Sequence, residues 1–188
     1  MNSRFETRRA PPPLDQSALH ELALRYVGKY ATTRAKLCAY LSRKLRERGW
    51  DGEHDPDLEA LAARFAEVGY VDDAAYALSK SRELSGRGYG KKRLVEKLRL
   101  AGVAEDDSRE AFDMSETEAV AAALRYAQRR RIGPFAAEAP DRMARDRAIS
   151  AMVRAGHSFG LARAIASLAP GAQVDVINIG ESSWFDVA

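Results

Sequence analysis

The sequence predicts an all-α chain built from tandem three-helix units, and three observations lead there. Residues 57–133 contain no proline, and proline is what most effectively breaks a helix interior. Strict apolar–polar alternation, the mark of a half-buried strand, is nearly absent. Three apolar stripes at helical spacing each stop at a glycine, near 53 residues apart, as expected of repeats that bury a continuous core by stacking.

The elements follow in order. Residues 1–14 are basic and proline-rich, with Pro11, Pro12 and Pro13 together, and are expected to form a flexible N-terminus. Helix-patterned residues 15–30 open the first unit, residues 15–68. Its middle stripe is Leu37, Cys38, Leu41 and Leu45, ending at Gly49. An acidic loop, WDGEHDP, precedes a third stretch at 57–68. The second unit, residues 69–113, repeats the plan: a stretch at 72–85, a stripe of Leu94, Val95, Leu98 and Ala101 ending at Gly102, then 105–113. The third, residues 114–170, has a stretch at 115–131, then Ala148, Ile149, Met152 and Val153 ending at Gly156, then 158–168. Each glycine suits a helix C-terminus, where positive φ is favoured. Residues 171–188 form a tail. Val174–Ile179 is the one candidate for a short strand, and Val174, Val176, Ile177 and Ile179 with Trp184 and Phe185 make the tail too apolar for a typical disordered segment.

Charge is unevenly distributed. The net charge is +3, but residues 1–100 carry 20 basic and 14 acidic side chains, and residues 101–188 carry 10 and 13. Segment 80–99 alone holds eight Lys/Arg against two acids. Two readings stand for such a bias, a surface for a polyanion or acidic partner and a solubilising face. Wheel geometry places Lys92, Arg93, Glu96 and Arg99 opposite the second stripe. It places Lys36, Arg43 and Arg46 opposite the first. With Arg87, Lys91 and Lys97 these cations are the candidate partner- or DNA-binding residues. Leu100 falls on the charged side, either packing on the following helix or meeting a partner.

Catalytic chemistry finds no support. His20, His54 and His157 lie far apart with no ligand spacing. Cys38 is the only cysteine, which rules out an intramolecular disulfide, and its place on an apolar stripe fits a packing thiol. Asp72/Asp73 and Asp106/Asp107 stand where helices should begin, in cap or first-turn roles. The run Gly86-Arg87-Gly88-Tyr89-Gly90-Lys91-Lys92 lacks P-loop spacing. It is either a backbone cradle for phosphate at a helix start or a turn joining two helices. Tyr70 and Tyr89 either stack on a base or anchor turns. No cofactor, metal, signal peptide or membrane span is expected, which places the protein in the cytoplasm by elimination.

Gly69-Tyr70-Val71-Asp72-Asp73, then Tyr76-Ala77, then Arg87-Gly88-Tyr89-Gly90, then Leu94, Leu98 and Ala101-Gly102-Val103 resemble the central signature of the RecX family of recombination regulators. Arg34, Leu37, Leu41, Lys44-Leu45 and Gly49 resemble its opening repeat. Arg147-Ala148-Ile149 and Arg154-Ala155-Gly156-His157-Ser158 resemble it more loosely, with His157 where the family commonly has Phe. The resemblance covers about residues 17–168. It implies an elongated, curved module of three-helix repeats that is not an enzyme. Such a module would bind the RecA recombinase filament and the single-stranded DNA within it. It would limit strand exchange, ATPase and the co-protease function that triggers the SOS damage response. An autonomous DNA-binding protein of tandem helix-turn-helix-like units is the alternative; a nuclease or deaminase is disfavoured, because no acidic cluster or His/Cys ligand set supports one.

Overall fold

The structure, a computed structural model, describes residues 12–174. Among these it is all-helical: nine α-helices, one 3-10 turn and no β-strand. The helices fall into two compact units that divide between Asp72 and Asp73.

The first unit contains α1 (Gln16–Val27), α2 (Arg34–Arg48) and α3 (Leu58–Glu67). Each begins with a side-chain cap. Asp15 accepts from the Ala18 N–H at 2.8 Å, Thr33 from Lys36 at 3.2 Å and Asp57 from Ala60 at 2.9 Å. Such a cap satisfies one of the orphan donors of the first turn and is worth about 1 kcal/mol. The core gathers Leu19, Ala23, Leu37, Leu41, Leu61 and Phe65. Leu14 belongs to it as well and is fully buried. Its N–H donates to the Gly49 carbonyl at 3.0 Å, and its own carbonyl accepts from Asp51 at 2.8 Å. The Arg48 guanidinium donates to the Pro12 carbonyl. The end of the segment expected to be flexible is therefore fixed against α2, because Leu14 fills a gap in the core. Cys38 is buried, and its thiol donates to the Leu58 carbonyl at 3.4 Å. Burial, with Glu59 nearby, pushes its pKa up to about 11, so it stays a neutral packing group.

The second unit contains α4 (Asp73–Gly86), α5 (Lys91–Leu100), α6 (Glu105–Thr117), α7 (Ala119–Arg130), a 3-10 turn at Gly133–Phe135, α8 (Arg142–Arg154) and α9 (Phe159–Ala166). Asp73 opens α4, and Glu105, Asp106 and Asp107 form the first turn of α6, where carboxylates complement the helix dipole. One apolar cluster holds Tyr76, Ala77, Leu84, Leu94, Leu98 and Ala111. A second holds Ala123, Tyr126, Ile132, Met152, Leu161 and Ile165. Tyr89 packs against both; it anchors a turn. Val174 packs on the second cluster, and the rest of the apolar tail lies outside the described residues.

Gly49, Gly102 and Gly156 all have positive φ, at 82°, 68° and 100°. Gly156 has a further duty. A Cβ there would meet the Arg93 nitrogen at 2.6 Å, and one on Gly90 would meet the Gly156 carbonyl oxygen at 2.3 Å. The two glycine turns pass in direct backbone contact. The Gly90 N–H donates to the Ala155 carbonyl at 3.0 Å and the Lys92 N–H to Gly156 at 3.1 Å. Amide groups that would have faced a phosphate in a cradle are thus already donated, so the glycine run is a packing turn. His157, where the sequence departs from the expected Phe, completes the lock. It is buried beside Tyr126, ring centroids 5.7 Å apart, and its Nε2–H donates to the Gly88 carbonyl at 3.1 Å. Burial holds its pKa below the ordinary histidine value, which keeps the ring neutral.

One expectation for α5 needs correction: Val95, placed on the apolar stripe, is 40% exposed. Of the two readings of Leu100, packing on the following helix does not hold, since the side chain on the charged side is 66% exposed. The buried face of this short helix is narrow, limited to Leu94 and Leu98, so residues one position off the stripe turn to solvent.

Candidate partner and nucleic-acid interface

The structure places Lys36, Arg43 and Arg46 together in the first unit. They line one groove of about 530 Å³ with Tyr26, Tyr30 and Tyr40. Helical spacing explains the grouping: positions 36, 40 and 43 recur at three and four residues on α2, on the side away from buried Leu37 and Leu41. Tyr26, at the end of α1, stacks on Tyr40 with ring centroids 4.2 Å apart and planes 11° apart. Tyr30, in the turn after α1, lies 5.4 Å from Tyr26 and is half-exposed. Arg43 sits over the Tyr40 ring at 5.6 Å. No carboxylate lines the groove. Arg43 keeps only a long contact to Glu47, 3.6 Å.

The second unit carries the other six candidates, and they divide by role. Lys91 bonds Glu116 and lies over Phe112 at 5.5 Å, tying α5 to α6. Arg87 pairs with Glu83 at 3.4 Å and covers Tyr89 at 5.4 Å. Arg93 pairs with Glu96 at 2.8 Å. Lys92, Lys97 and Arg99 are exposed and take part in none of the ion pairs among the described residues. These three, beside exposed Leu100, form the basic face with no internal partner.

Charge counting missed a further cationic site. Arg130, Arg131, Arg147 and Arg154 surround a hollow of about 430 Å³ in the second unit. Beside it lies a smaller hollow of about 270 Å³ bordered by Tyr89, Arg93, Tyr126, Arg130 and Arg154. Arg131 holds φ 54°, the one positive value outside glycine among the described residues. The signal was present in the run Arg129-Arg130-Arg131 and in the seven-residue spacing of Arg147 and Arg154, but the acidic balance of residues 101–188 hid it. The sequence also overlooked Tyr26, Tyr30 and Tyr40. Tyr70 remains an exposed ring leaning on Phe65 at 5.6 Å.

Among the described residues no group of His, Cys, Asp and Glu is placed to hold a metal ion, and no helix is long and apolar enough to cross a membrane. His20 packs on Phe65 at 5.3 Å, and the His54 carbonyl accepts from the Trp50 indole at 2.8 Å.

No protein-family model matches the chain. Comparison with individual proteins is more informative. Regulatory protein RecX of Myxococcus xanthus (strain DK1622) is 33% identical over 163 residues, covering 82% of this chain and 87% of that protein. Regulatory protein RecX of Thermobifida fusca (strain YX) is 33% identical over 173 residues, covering 86% and 88%. A crystal structure of RecX from Lactobacillus salivarius superposes with a TM-score of 0.58 at 18% identity, covering 79% of this chain and 92% of that one. A second RecX crystal structure gives 0.55 at 21% identity, covering 77% and 68%. The structural likeness supports the all-helical fold, and the sequence identity over most of both chains carries the assignment: the chain belongs to the RecX family of regulatory proteins.

Proposed function

We propose that the protein is a non-enzymatic regulator that binds a RecA recombinase filament on single-stranded DNA and restrains its strand exchange, ATPase and co-protease activities. In this reading ATP hydrolysis belongs to the recombinase, and the protein works in the cytoplasm. Residues 15–68, 69–113 and 114–170 act as three successive units. The observation that carries the proposal is the basic face of α5, where Lys92, Lys97 and Arg99 flank exposed Leu100. Cations with no internal partner suit phosphates or carboxylates. An exposed leucine among them suits a protein surface better than a nucleic-acid backbone. A filament offers both kinds of surface.

The test compares bare single-stranded DNA with the same strand coated by the cognate recombinase. Tighter binding to the coated strand, with loss of DNA-dependent ATPase, is the expected result. Equal affinity for both, falling steeply with salt as phosphate neutralisation requires, would instead support an autonomous DNA-binding protein. DNA cleavage that a carboxylate substitution abolishes would overturn the non-enzymatic assignment.

A further inference from the structure

We infer that the tyrosine-lined groove of the first unit stacks unpaired bases of a single-stranded nucleic acid, with Lys36, Arg43 and Arg46 holding its phosphates. The inference shares those three cations with the filament reading and assigns them a ligand. Bases offer flat π-faces and the backbone offers one negative charge per nucleotide. A site for both needs exposed aromatic faces within reach of cations. The groove of about 530 Å³ supplies Tyr26, Tyr30 and Tyr40 beside Lys36, Arg43 and Arg46, with no carboxylate in its lining.

The packing of the first unit accounts for only part of this arrangement. The Tyr26–Tyr40 stack joins α1 to α2 and belongs to the edge of the core. Tyr30 does not: it is 50% exposed, and its N–H donates to the Tyr26 carbonyl at 3.0 Å, which fixes the turn that displays it. Lys29 lies over its ring at 5.4 Å. A third aromatic ring at the mouth of a cationic groove buries little and contributes little to the core. Base stacking gives it a use. A duplex would not fill the groove, because its base faces are covered by their neighbours. An acidic peptide would satisfy the cations and leave the ring faces unused.

The full-length protein is titrated by fluorescence anisotropy against a labelled oligodeoxythymidylate and an abasic oligomer of equal length, each at two salt concentrations. The thymidylate should bind more tightly. Tyr30→Ala should weaken thymidylate binding by about tenfold and leave abasic binding and the salt slope unchanged. Tyr30→Phe should retain affinity, and Tyr30→Leu should lose it, at unchanged melting temperature. Arg46→Gln should weaken both strands and reduce the salt slope by about 0.7. Equal binding of the two oligomers overturns the inference. So does Tyr30→Leu matching the parent at unchanged melting temperature. If Tyr30→Ala weakens binding to a recombinase-coated strand but not to the bare one, a protein occupies the groove and the inference is wrong. Filament binding without base dependence would leave the filament reading intact. Base dependence with no preference for the coated strand would defeat that reading alone.

Discussion

Leu98 and Leu100 sit two residues apart on α5, and truncating each to Ala separates folding from binding. Leu98 is 1% exposed and packs with Leu94, Tyr76, Ala77 and Ala111. Removing its branched end deletes buried methyl groups and leaves a cavity that flanking helices close only in part. Leu→Ala at such sites costs about 2–5 kcal/mol. Leu100 is 66% exposed. Only a third of its surface leaves water on folding, which scales a full burial of about 1.5–3 kcal/mol down to at most about 1. Alanine's better helix propensity offsets part of that. For a chain of this size a loss of about 3 kcal/mol lowers Tm by roughly 6–12 °C. The expected pattern is thus a large drop for Leu98→Ala and a small one for Leu100→Ala. Binding to the recombinase-coated strand, measured well below either Tm, should show the opposite order: Leu100→Ala weakens it and Leu98→Ala does not. A thermal melt in which Leu100→Ala is the more damaging variant would refute the helical phase assigned to α5. Unchanged filament affinity in Leu100→Ala would refute its role as a contact.

Reversing Lys92, Lys97 and Arg99 to Glu should leave helicity by circular dichroism unchanged and weaken filament binding by at least roughly tenfold, since several charge-assisted contacts of about 1 kcal/mol each are lost or reversed; unchanged affinity at low salt would reject this face as an interface. Burial holds the His157 pKa below its unfolded value of 6.5, so the unfolded chain takes up the proton first as pH falls. The stabilisation is complete above about pH 6.5 and is lost as pH drops from there through the depressed native value. Melting temperature should decline as pH falls below about 6.5, less so in His157→Phe; parallel declines in both proteins would remove His157 as the cause. Gly156→Ala should destabilise the second unit by at least about 2 kcal/mol, because φ is 100° there and the added Cβ meets the Arg93 nitrogen at 2.6 Å; a denaturant midpoint equal to the parent's would show that the turn has room to shift.

Backbone features were the most legible in the sequence. The three glycine stops, the acidic pairs at the starts of α4 and α6 and the proline-free stretch each act within a few residues, and the nine helices among the described residues follow the helix-patterned stretches. The stripes were read correctly at their centres, at Leu37, Leu41, Leu94, Leu98 and Met152, all fully or almost fully buried. The second stripe fails at its margin, at Val95, because a wheel gives direction and not the width of the neighbour that covers it; Leu100, off the stripe on the wheel, is exposed as that placement implies. Leu14 was missed for a related reason. Its burial depends on Gly49 and Asp51, more than 30 residues away, pairing with it across the end of α2.

Charge shows the same limit more sharply. A sum over 101–188 counts Glu105, Asp106 and Asp107 against the arginines of α7 and α8. In the folded chain those acids serve the N-terminus of α6. Arg130, Arg131, Arg147 and Arg154 converge elsewhere, around a hollow whose lining contains no acid. Net charge cancels in a sum but not on a surface, where screening confines each group to about 10 Å or less. The reverse holds in segment 80–99. Its excess of cations read as one patch, yet Lys91, Arg87 and Arg93 each have a carboxylate partner. The sequence locates basic residues; only packing decides which of them still need a counter-charge. By that criterion the α5 face, with Lys92, Lys97 and Arg99, and the acid-free arginine hollow are where a polyanion would gain most from the second unit.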